Sequence, residues 1–263
     1  MRFSDNVKVA IVSVNFNNCV GLKNTINSIS PILKECKNVI HVIQDGGSTD
    51  SSCEIAKSNG YTRFDSQKIL IVEQDKNLWE GMFNGIRNID ADYVHFLNSG
   101  DTITNTKNYV LFVNTLASVL PDVLLFEVSL DKKNYLLPYV HNGFDSTWLK
   151  NGLMPPHPGL VVSRGLLLKH KAFAQFELDL PHDYWFCVSL LKERDLMVVH
   201  SICHTITMED GGLSQSFSYT FKRLFRQTAV LKKLGYNKSV FAILCFKVLK
   251  YFFSKKGDRQ FGK

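Results

Sequence analysis

Residues Asp92 to Asp101 read Asp-Tyr-Val-His-Phe-Leu-Asn-Ser-Gly-Asp, and this stretch decides which fold the chain can adopt. It begins with β-branched and aromatic residues, the composition of a buried strand, and it ends in residues that favour a turn. Asp101 therefore follows the carboxyl end of a predicted central strand, and in open α/β sheets ligands bind at that edge. A carboxylate there either holds a hard divalent cation or caps the helix expected to begin near Thr104.

The segment before Asp92 alternates between strand and helix patterns. Short apolar runs predict strands, each followed by residues at helical spacing, and the predicted strands are 8–14, 39–44 and 69–73. Together with a fourth strand at 92–98, this order predicts an α/β fold with a parallel sheet and helices on both faces. The first helix carries apolar residues from Leu22 to Leu33, and Pro31 is expected to end or bend it.

Polar loops follow each of the four predicted strands. Right-handed crossovers place all of these loops along one edge of the sheet. The loops are 15–18, 45–50, 74–78 and 98–101.

The pattern after residue 104 is less regular. Helices are predicted at 107–118 and 182–193, and strands at 123–129, 160–163 and 196–207. We expect one domain over residues 1–214, with a first half at 1–104 and a second half at 105–214. A basic, helical tail is expected to follow over residues 215–263.

Composition narrows the class of protein. The chain has 263 residues, of which 45% are hydrophobic, and this is enough for a substantial core. The six cysteines show no CxxC spacing, which argues against a zinc site or a disulfide framework and favours a reducing cytosol. The first apolar run is too short for a signal peptide, so the sequence predicts a cytosolic protein.

Positive charge is concentrated in the tail. Twelve of the 31 Lys and Arg residues lie from Phe217 onward, together with a single acidic residue. A helix over 239–253 would carry many aromatic and aliphatic residues among lysines, a pattern that suits the surface of an anionic membrane. The alternative is a helix that packs on the domain and exposes a basic face to water.

Six short motifs, in a fixed order, give the chain a family resemblance. Together they resemble the inverting nucleotide-sugar glycosyltransferases of family two, which have the GT-A fold. The resemblance is strongest to the members that build bacterial capsule, O-antigen and colanic-acid-type polysaccharides. The motifs cover the chain from about Val7 to Ser214 and are 11–17, 45–50, 73–76, 96–101, 182–184 and 211–214. The resemblance makes 1–104 the half that binds the nucleotide sugar and 105–214 the half that binds the acceptor.

The resemblance implies a set of donor-binding residues for a nucleotide-diphosphate sugar, with a UDP-sugar favoured. These residues are Ser13, Asn15, Asp45, Asp75, Lys76, Asn98 and Ser99. Asp45 would accept hydrogen bonds from the base or the ribose. The alternative for its loop is an ordinary strand-to-helix turn capped by its own side chains, which is compatible with binding. For Asp75 and Lys76, surface charge is as good an explanation as a contact with the nucleotide.

A metal site is also implied by the resemblance. Asp101 matches the last acidic residue of the family's metal motif, where it would hold Mn²⁺ or Mg²⁺ against the diphosphate. The chain departs from this motif at Asn98 and Gly100, where other members often carry Asp. His204 is a candidate for a further ligand, although a lone histidine on a strand is usually structural.

The resemblance assigns the catalytic base to Asp183. Inverting transfer needs a carboxylate that removes a proton from the acceptor hydroxyl, here that of a saccharide or lipid-linked saccharide. The alternative for Asp183 is a carboxylate that stabilises the start of a helix through the helix dipole. His157 would lie near the acceptor or the donor sugar.

Two other classes of protein compete with a glycosyltransferase. A sugar-phosphate nucleotidylyltransferase can share the α/β core, but it would carry a basic glycine-rich loop where this chain has Asn15 to Asn18. A non-enzymatic basic protein could bind membrane or nucleic acid through its tail. This alternative leaves Asp45, Asp101 and Asp183 without a function, so we expect no nucleic-acid partner. Because of the basic tail, we expect the protein to lie in the cytoplasm at the inner face of the cytoplasmic membrane.

Overall fold

Eight strands form one sheet in the part of the chain that the structure describes. The computed structural model describes residues 7–130, 149–150, 154–170, 180–193, 195–209 and 217–236. The strands are β1 (Val9–Asn15), β2 (Val39–Asp45), β3 (Lys68–Val72), β4 (Tyr93–Phe96), β5 (Thr102–Ile103), β6 (Val123–Leu130), β7 (Leu160–Ser163) and β8 (Val198–Met208).

The described helices flank this sheet or lie in a second unit. They are α1 (Cys19–Glu35), α2 (Ser52–Ser58), α3 (Leu78–Arg87), α4 (Thr106–Val119), α5 (Arg164–Lys169), α6 (His182–Ser189) and α7 (Phe217–Lys233). Two 3₁₀ turns, His157–Gly159 and Leu190–Lys192, complete the elements. None of the described helices is both long enough and apolar enough to cross a bilayer, and the predicted helix at 239–253 lies outside the described residues.

The strand order is β3-β2-β1-β4-β7-β6-β8-β5. The first four strands are all parallel, which confirms the arrangement predicted for the first half of the chain. The second half makes the sheet mixed. Strand β7 runs antiparallel to both β4 and β6, while β8 runs parallel to β6 and antiparallel to β5.

Helices cover both faces of the sheet, as predicted. Successive side chains of a strand point to opposite faces. On one face, Val9 and Ile11 of β1 belong to the apolar cluster that contains residues of α1 and α4. On the other face, Val12 and Val14 pack against two glycines of α3. A Cβ at Gly85 would overlap Val12, and one at Gly81 would overlap Val14.

Pro31 does not end the first helix. Helix α1 continues to Glu35 with Pro31 inside it, and Ile32 and Leu33 stay buried beyond the proline. A proline inside a helix costs one backbone hydrogen bond. Burial of the two aliphatic side chains that follow it offsets this cost, so the helix extends by another turn.

The carboxyl ends of the parallel strands lie level with one another. Asn15 at the end of β1 pairs with Asp45 at the end of β2, which in turn pairs with Val72 at the end of β3. After β4, the backbone N–H of Ser99 donates to the carbonyl of Val14 at 3.2 Å. The four predicted loops therefore meet at one edge of the sheet, which we call the carboxyl edge.

The chain divides into two compact units. The first contains the whole sheet and helices α1 to α5. The second contains α6 and α7, and within it the hydroxyl of the fully buried Tyr184 donates to the carbonyl of Leu149 at 2.5 Å. The domain boundary expected near residue 214 stays a prediction.

Candidate active site at the carboxyl edge

Asn15 joins three of the loops at the carboxyl edge. Its amide nitrogen donates to Asp45 Oδ2 at 2.7 Å and to Ser48 Oγ at 3.2 Å. Its amide oxygen accepts from Ser99 Oγ at 2.7 Å. Only 1% of Asn15 is exposed, so its side chain acts as an internal connector at the base of the edge.

Asp45 holds the loop that follows β2. One carboxylate oxygen accepts the backbone N–H groups of Gly47 at 3.1 Å and Ser48 at 2.7 Å. The other accepts Ser48 Oγ at 2.8 Å and the amide of Asn15. A carboxylate offers about four acceptor positions, and these four bonds use them. Asp45 is fully buried, so the structure supports the turn-forming role rather than direct contact with a base or ribose.

Two asparagines tie the loop after β1 to its neighbours. Asn17 has a positive φ of 50° and its side-chain oxygen accepts the Thr49 N–H at 2.8 Å. Asn18 caps α1 by accepting the Gly21 N–H at 3.0 Å, and its amide nitrogen donates to the Ser99 carbonyl at 3.2 Å. These side-chain hydrogen bonds fix the conformation of the backbone at the carboxyl edge.

Ser13 lies in the core and not at the edge. It is fully buried, and its hydroxyl donates to the Leu97 carbonyl at 2.5 Å and lies 2.9 Å from His41 Nε2. His41 Nδ1 lies 2.6 Å from the hydroxyl of Tyr61. Burial, with a smaller contribution from the charge of Lys68, lowers the pKa of His41 to about 3, so this network is neutral. A direct contact between Ser13 and a donor is therefore not supported.

Asp75 approaches the same edge from the loop after β3. Its carboxylate accepts from Asn84 Nδ2 at 2.7 Å and from Gln44 Nε2 at 3.2 Å. A Cβ at Gly46 would lie 3.5 Å from Asp75 Oδ2, so the carboxylate stands against the loop after β2. Burial raises the pKa of Asp75, although its hydrogen bonds oppose this. The neighbouring Lys76 is exposed, and its backbone N–H donates to Glu80 at 2.5 Å.

Asp101 is a buried carboxylate at the end of the fourth loop. Only 9% of it is exposed, and its Oδ1 accepts the backbone N–H of Glu209 at 3.1 Å. Burial, together with the nearby charge of Glu209, raises the pKa of Asp101 to about 7, against the lowering effect of that hydrogen bond. The predicted alternative, a helix cap, is wrong. Asn105 caps α4 by accepting the Asn108 N–H at 3.0 Å.

Glu209 is a site residue that the sequence did not single out. It follows β8, and the pairing of Thr102 with Thr207 brings it beside Gly100 and Asp101. Its Oε2 accepts from Asn18 Nδ2 at 3.3 Å. An acidic residue directly after the last predicted strand was the available signal, but the partner strand could not be identified from the sequence.

Asn98 and Ser99 form the turn that leads to Asp101. The carbonyl of Asn98 accepts the Asp101 N–H at 3.0 Å. Its side-chain Oδ1 is buried and has no hydrogen-bond partner among the described residues. Ser99 Oγ donates to Asn15 and also to the Val14 carbonyl at 3.1 Å. Both residues thus lie at the carboxyl edge, where the sequence predicted them.

His204 is not part of the hydrogen-bonded group around Asp101. It lies on β8 opposite Glu127, and its Nε2 is 2.9 Å from Ser129 Oγ. Within the described part of the chain, no three His, Cys, Asp or Glu side chains are grouped as a complete metal site. The structure thus offers no geometric support for His204 as a ligand.

His157 and Asp183 occupy different units. His157 opens a 3₁₀ turn and its ring stacks on Phe96 with a centroid distance of 5.5 Å. His95 Nε2 lies 2.8 Å from the carbonyl oxygen of Pro158 and so holds that turn in place. Asp183 lies in the first turn of α6, where its Oδ1 accepts the Tyr184 N–H at 2.7 Å. The roles assigned to His157 and Asp183 stay predictions.

Solved structures with a similar fold bind or use activated sugars. No protein-family model and no curated protein sequence matches the chain. S. aureus TarS 1-349 in complex with UDP-GlcNAc superposes with a TM-score of 0.64 and 13% identity, over 90% of this chain and 72% of that chain. The mannosyltransferase PcManGT from Pyrobaculum calidifontis in complex with GDP-Man and Mn²⁺ superposes with a TM-score of 0.57 and 11% identity, over 88% of this chain and 65% of that chain.

A third structure extends the likeness. Mannosyl-3-phosphoglycerate synthase from Rubrobacter xylanophilus gives a TM-score of 0.60 and 11% identity, over 88% of this chain and 76% of that chain. Identities this low establish similarity of fold and not of activity. The chain therefore has the GT-A fold of the nucleotide-sugar glycosyltransferases, as its motifs predicted.

Proposed function

We propose that the protein is a glycosyltransferase that moves a sugar from a nucleoside diphosphate sugar to a hydroxyl group of a saccharide or lipid-linked saccharide. Transfer inverts the anomeric carbon and contributes to a bacterial surface polysaccharide. The observation that carries this proposal is the carboxyl edge itself, where Asn15 bonds to the loops after β2 and β4 and leaves Asp101 at its end. Ligands of open α/β sheets bind at such an edge.

The donor would bind across the loops after β1, β2 and β3. Asp45 and Asn17 accept backbone N–H groups of Ser48 and Thr49, and Asn15 donates to Asp45, so the backbone there is held before any ligand arrives. A site that is already ordered loses less conformational entropy when it binds. Asp75 stands against the loop after β2 and accepts hydrogen bonds from Asn84 and Gln44, and we assign it to the nucleoside. UDP is the favoured nucleotide, in keeping with the complexes of the similar TarS structure.

The residues at the end of β4 fit a divalent cation. Asp101 supplies a carboxylate, and Asn98 supplies a buried amide oxygen that has no hydrogen-bond partner among the described residues. Oxygen ligands of this kind suit Mn²⁺ and Mg²⁺. When bound, the ion would offset the charge that develops on the departing diphosphate. Asp101 would hold it, and the burial of Asp101 would exclude competing water.

Asp183 is proposed as the base that takes the proton of the acceptor hydroxyl. It lies in the first turn of α6, where its Oδ1 accepts the backbone N–H of Tyr184 at 2.7 Å. A positioned base contributes about a hundredfold to ten-thousandfold to the rate.

The test is release of nucleoside diphosphate from a panel of nucleotide sugars, with Mn²⁺ or with chelator, and with lipid-linked or soluble saccharide acceptors. We expect turnover of at least one UDP-sugar that chelator suppresses, and NMR of the product should show the inverted anomer. No turnover of any nucleotide sugar, with no binding of UDP by calorimetry, would overturn the proposal.

Asp183→Asn tests the assignment of the base. We expect turnover to fall by about a hundredfold or more while the Kd for UDP stays within twofold of wild type. Asp195→Asn is the matched control, because Asp195 is an exposed carboxylate that is close in sequence. Wild-type turnover in Asp183→Asn would remove Asp183 from the mechanism.

We also propose that the basic tail binds the anionic inner face of the membrane, as its charge and aromatic content suggest. A chain that ends at Tyr236 retains α7 and removes the predicted amphipathic helix. We expect it to bind phosphatidylglycerol vesicles at least tenfold more weakly while soluble-acceptor turnover is retained. Equal vesicle binding by the two forms would show that the tail is not the anchor.

A further inference from the structure

The space beside Gly100 is filled by a carboxylate that comes from elsewhere in the chain. A Cβ built at Gly100 would lie 3.0 Å from the Glu209 Cβ and would overlap the Glu209 carboxylate. The φ of Gly100 is +104°, a conformation that side chains rarely adopt. A residue with a side chain at position 100 would therefore displace the carboxylate of Glu209.

Glu209 is held in this position from both ends. Its backbone N–H donates to Asp101 Oδ1 at 3.1 Å. Its carboxylate accepts from the amide of Asn18, the residue that caps α1. The register of β5 with β8 places it there, because Thr102 pairs with Thr207. The position of Glu209 thus follows from the sheet and from a helix cap.

From this geometry we infer that Glu209 supplies the second carboxylate of the divalent cation site, in place of the acidic side chain that position 100 lacks. The inference rests on the proposed function, since it takes the ion that would accompany a nucleoside diphosphate sugar. The site has three oxygen-bearing groups, namely Asp101, Glu209 and Asn98.

Two observations support a cation at this place. The carboxylate of Glu209 acts as a like charge on the buried carboxylate of Asp101, and the ionised pair is costly unless a cation offsets it. Independently, Asn98 presents a buried oxygen with no hydrogen-bond partner among the described residues, on the same turn as Asp101. Hard divalent cations select such a combination of carboxylate and amide oxygens.

The experiment measures Mn²⁺ binding directly, by electron paramagnetic resonance of free Mn²⁺, in the full-length protein with and without UDP. The variant is Glu209→Gln, which keeps the size of the side chain. Asp90→Asn is the matched control, because it makes the same change in net charge at a carboxylate near the start of β4 and away from the carboxyl edge. Thermal melting without metal accompanies each measurement.

We expect Glu209→Gln to raise the Kd for Mn²⁺ by at least about tenfold, since even outer-shell changes cost ten- to hundredfold. The Kd of Asp90→Asn for Mn²⁺ should stay within twofold of wild type. The melting temperature of metal-free Glu209→Gln should equal or exceed that of wild type, because a like-charge contact is removed. A merely structural role for Glu209 would lower it instead.

The outcomes separate this inference from the proposed function. Wild-type Mn²⁺ affinity in Glu209→Gln, or sugar transfer by a wild-type protein that binds no Mn²⁺, overturns the inference and leaves the transferase intact. Glu209-dependent Mn²⁺ binding in a protein that turns over no nucleotide sugar supports the inference and overturns the proposed function.

Discussion

Asp45 and Asp101 follow two strands of the same parallel sheet and reach the same edge, yet their surroundings differ. Asp45 accepts four hydrogen bonds, from the Asn15 amide, two backbone N–H groups and a serine hydroxyl. Among the described residues, the carboxylate of Asp101 accepts one backbone N–H and lies beside a second carboxylate. Both are at least nine-tenths buried.

The difference shows two ways in which a buried carboxylate is stabilised. Hydrogen-bond donors within the protein compensate Asp45, and it has no capacity left for a ligand. Among the described residues, Asp101 has unused acceptor capacity and a repulsive neighbour, and the cation that we propose would offset the charge of its ionised form. Sequence resemblance implied a ligand contact for both residues. The hydrogen bonds favour a scaffold role for Asp45, while the metal-binding role of Asp101 stays a proposal.

The largest expected effect is the loss of stability in Asp45→Ala. Removal of this carboxylate leaves donors of Asn15, Gly47 and Ser48 without their acceptor, and we expect the free energy of unfolding to fall by about 3 kcal/mol. Urea denaturation measures it. Asp65→Ala is the control, because Asp65 also accepts two backbone N–H groups but is exposed, so its loss should be much smaller. Equal losses in the two variants would contradict the scaffold role.

Asp101→Asn should lower turnover rather than stability. Replacement of a buried charge by a neutral amide should leave the metal-free stability unchanged or higher. Metal-dependent transfer should fall by about a hundredfold or more, the loss typical when a charge-stabilising group is removed. Melting curves and diphosphate release measure the two quantities. Lower stability with normal turnover would reverse the comparison between Asp45 and Asp101.

Gly100→Ala separates backbone strain from overlap with Glu209. We expect a loss of about 2 kcal/mol in the free energy of unfolding, since a positive φ and a displaced side chain both contribute. Gly47→Ala is the matched control, because Gly47 also has a positive φ but no atom near its Cβ position. In the Glu209→Ala background the loss at Gly100 should shrink towards that at Gly47. An unchanged loss would show that Glu209 does not fill this space.

The smallest effect is expected from Asn84→Ala. This change removes the shortest hydrogen bond to Asp75, at 2.7 Å, and should weaken UDP binding by about 1 kcal/mol, or several-fold. Calorimetry with UDP measures it. Asn88→Ala near the exposed end of the same helix should leave the affinity unchanged. Equal affinities in both variants would exclude Asp75 from the donor site.

The helices and strands of the first hundred residues could be predicted because their signals are local. Leu22, Ile26, Ile29 and Leu33 recur at helical spacing, and all four are buried on α1. The alternation of strands and helices also predicted that the first four strands run parallel to one another. Two local expectations were not met: α1 does not end at Pro31, because the aliphatic residues after it are buried, and Asn105 rather than Asp101 caps α4.

The amino-acid sequence by itself determined the α/β fold of the first half and the meeting of its loops at one edge, since short-range periodicity and the hand of the crossovers suffice for both. Only the tertiary structure decided that β7 inserts between β4 and β6, and that Glu209 lies against Gly100. The physical reason is distance along the chain. Strand pairings between remote segments depend on the packing of the whole sheet, and no local pattern encodes them.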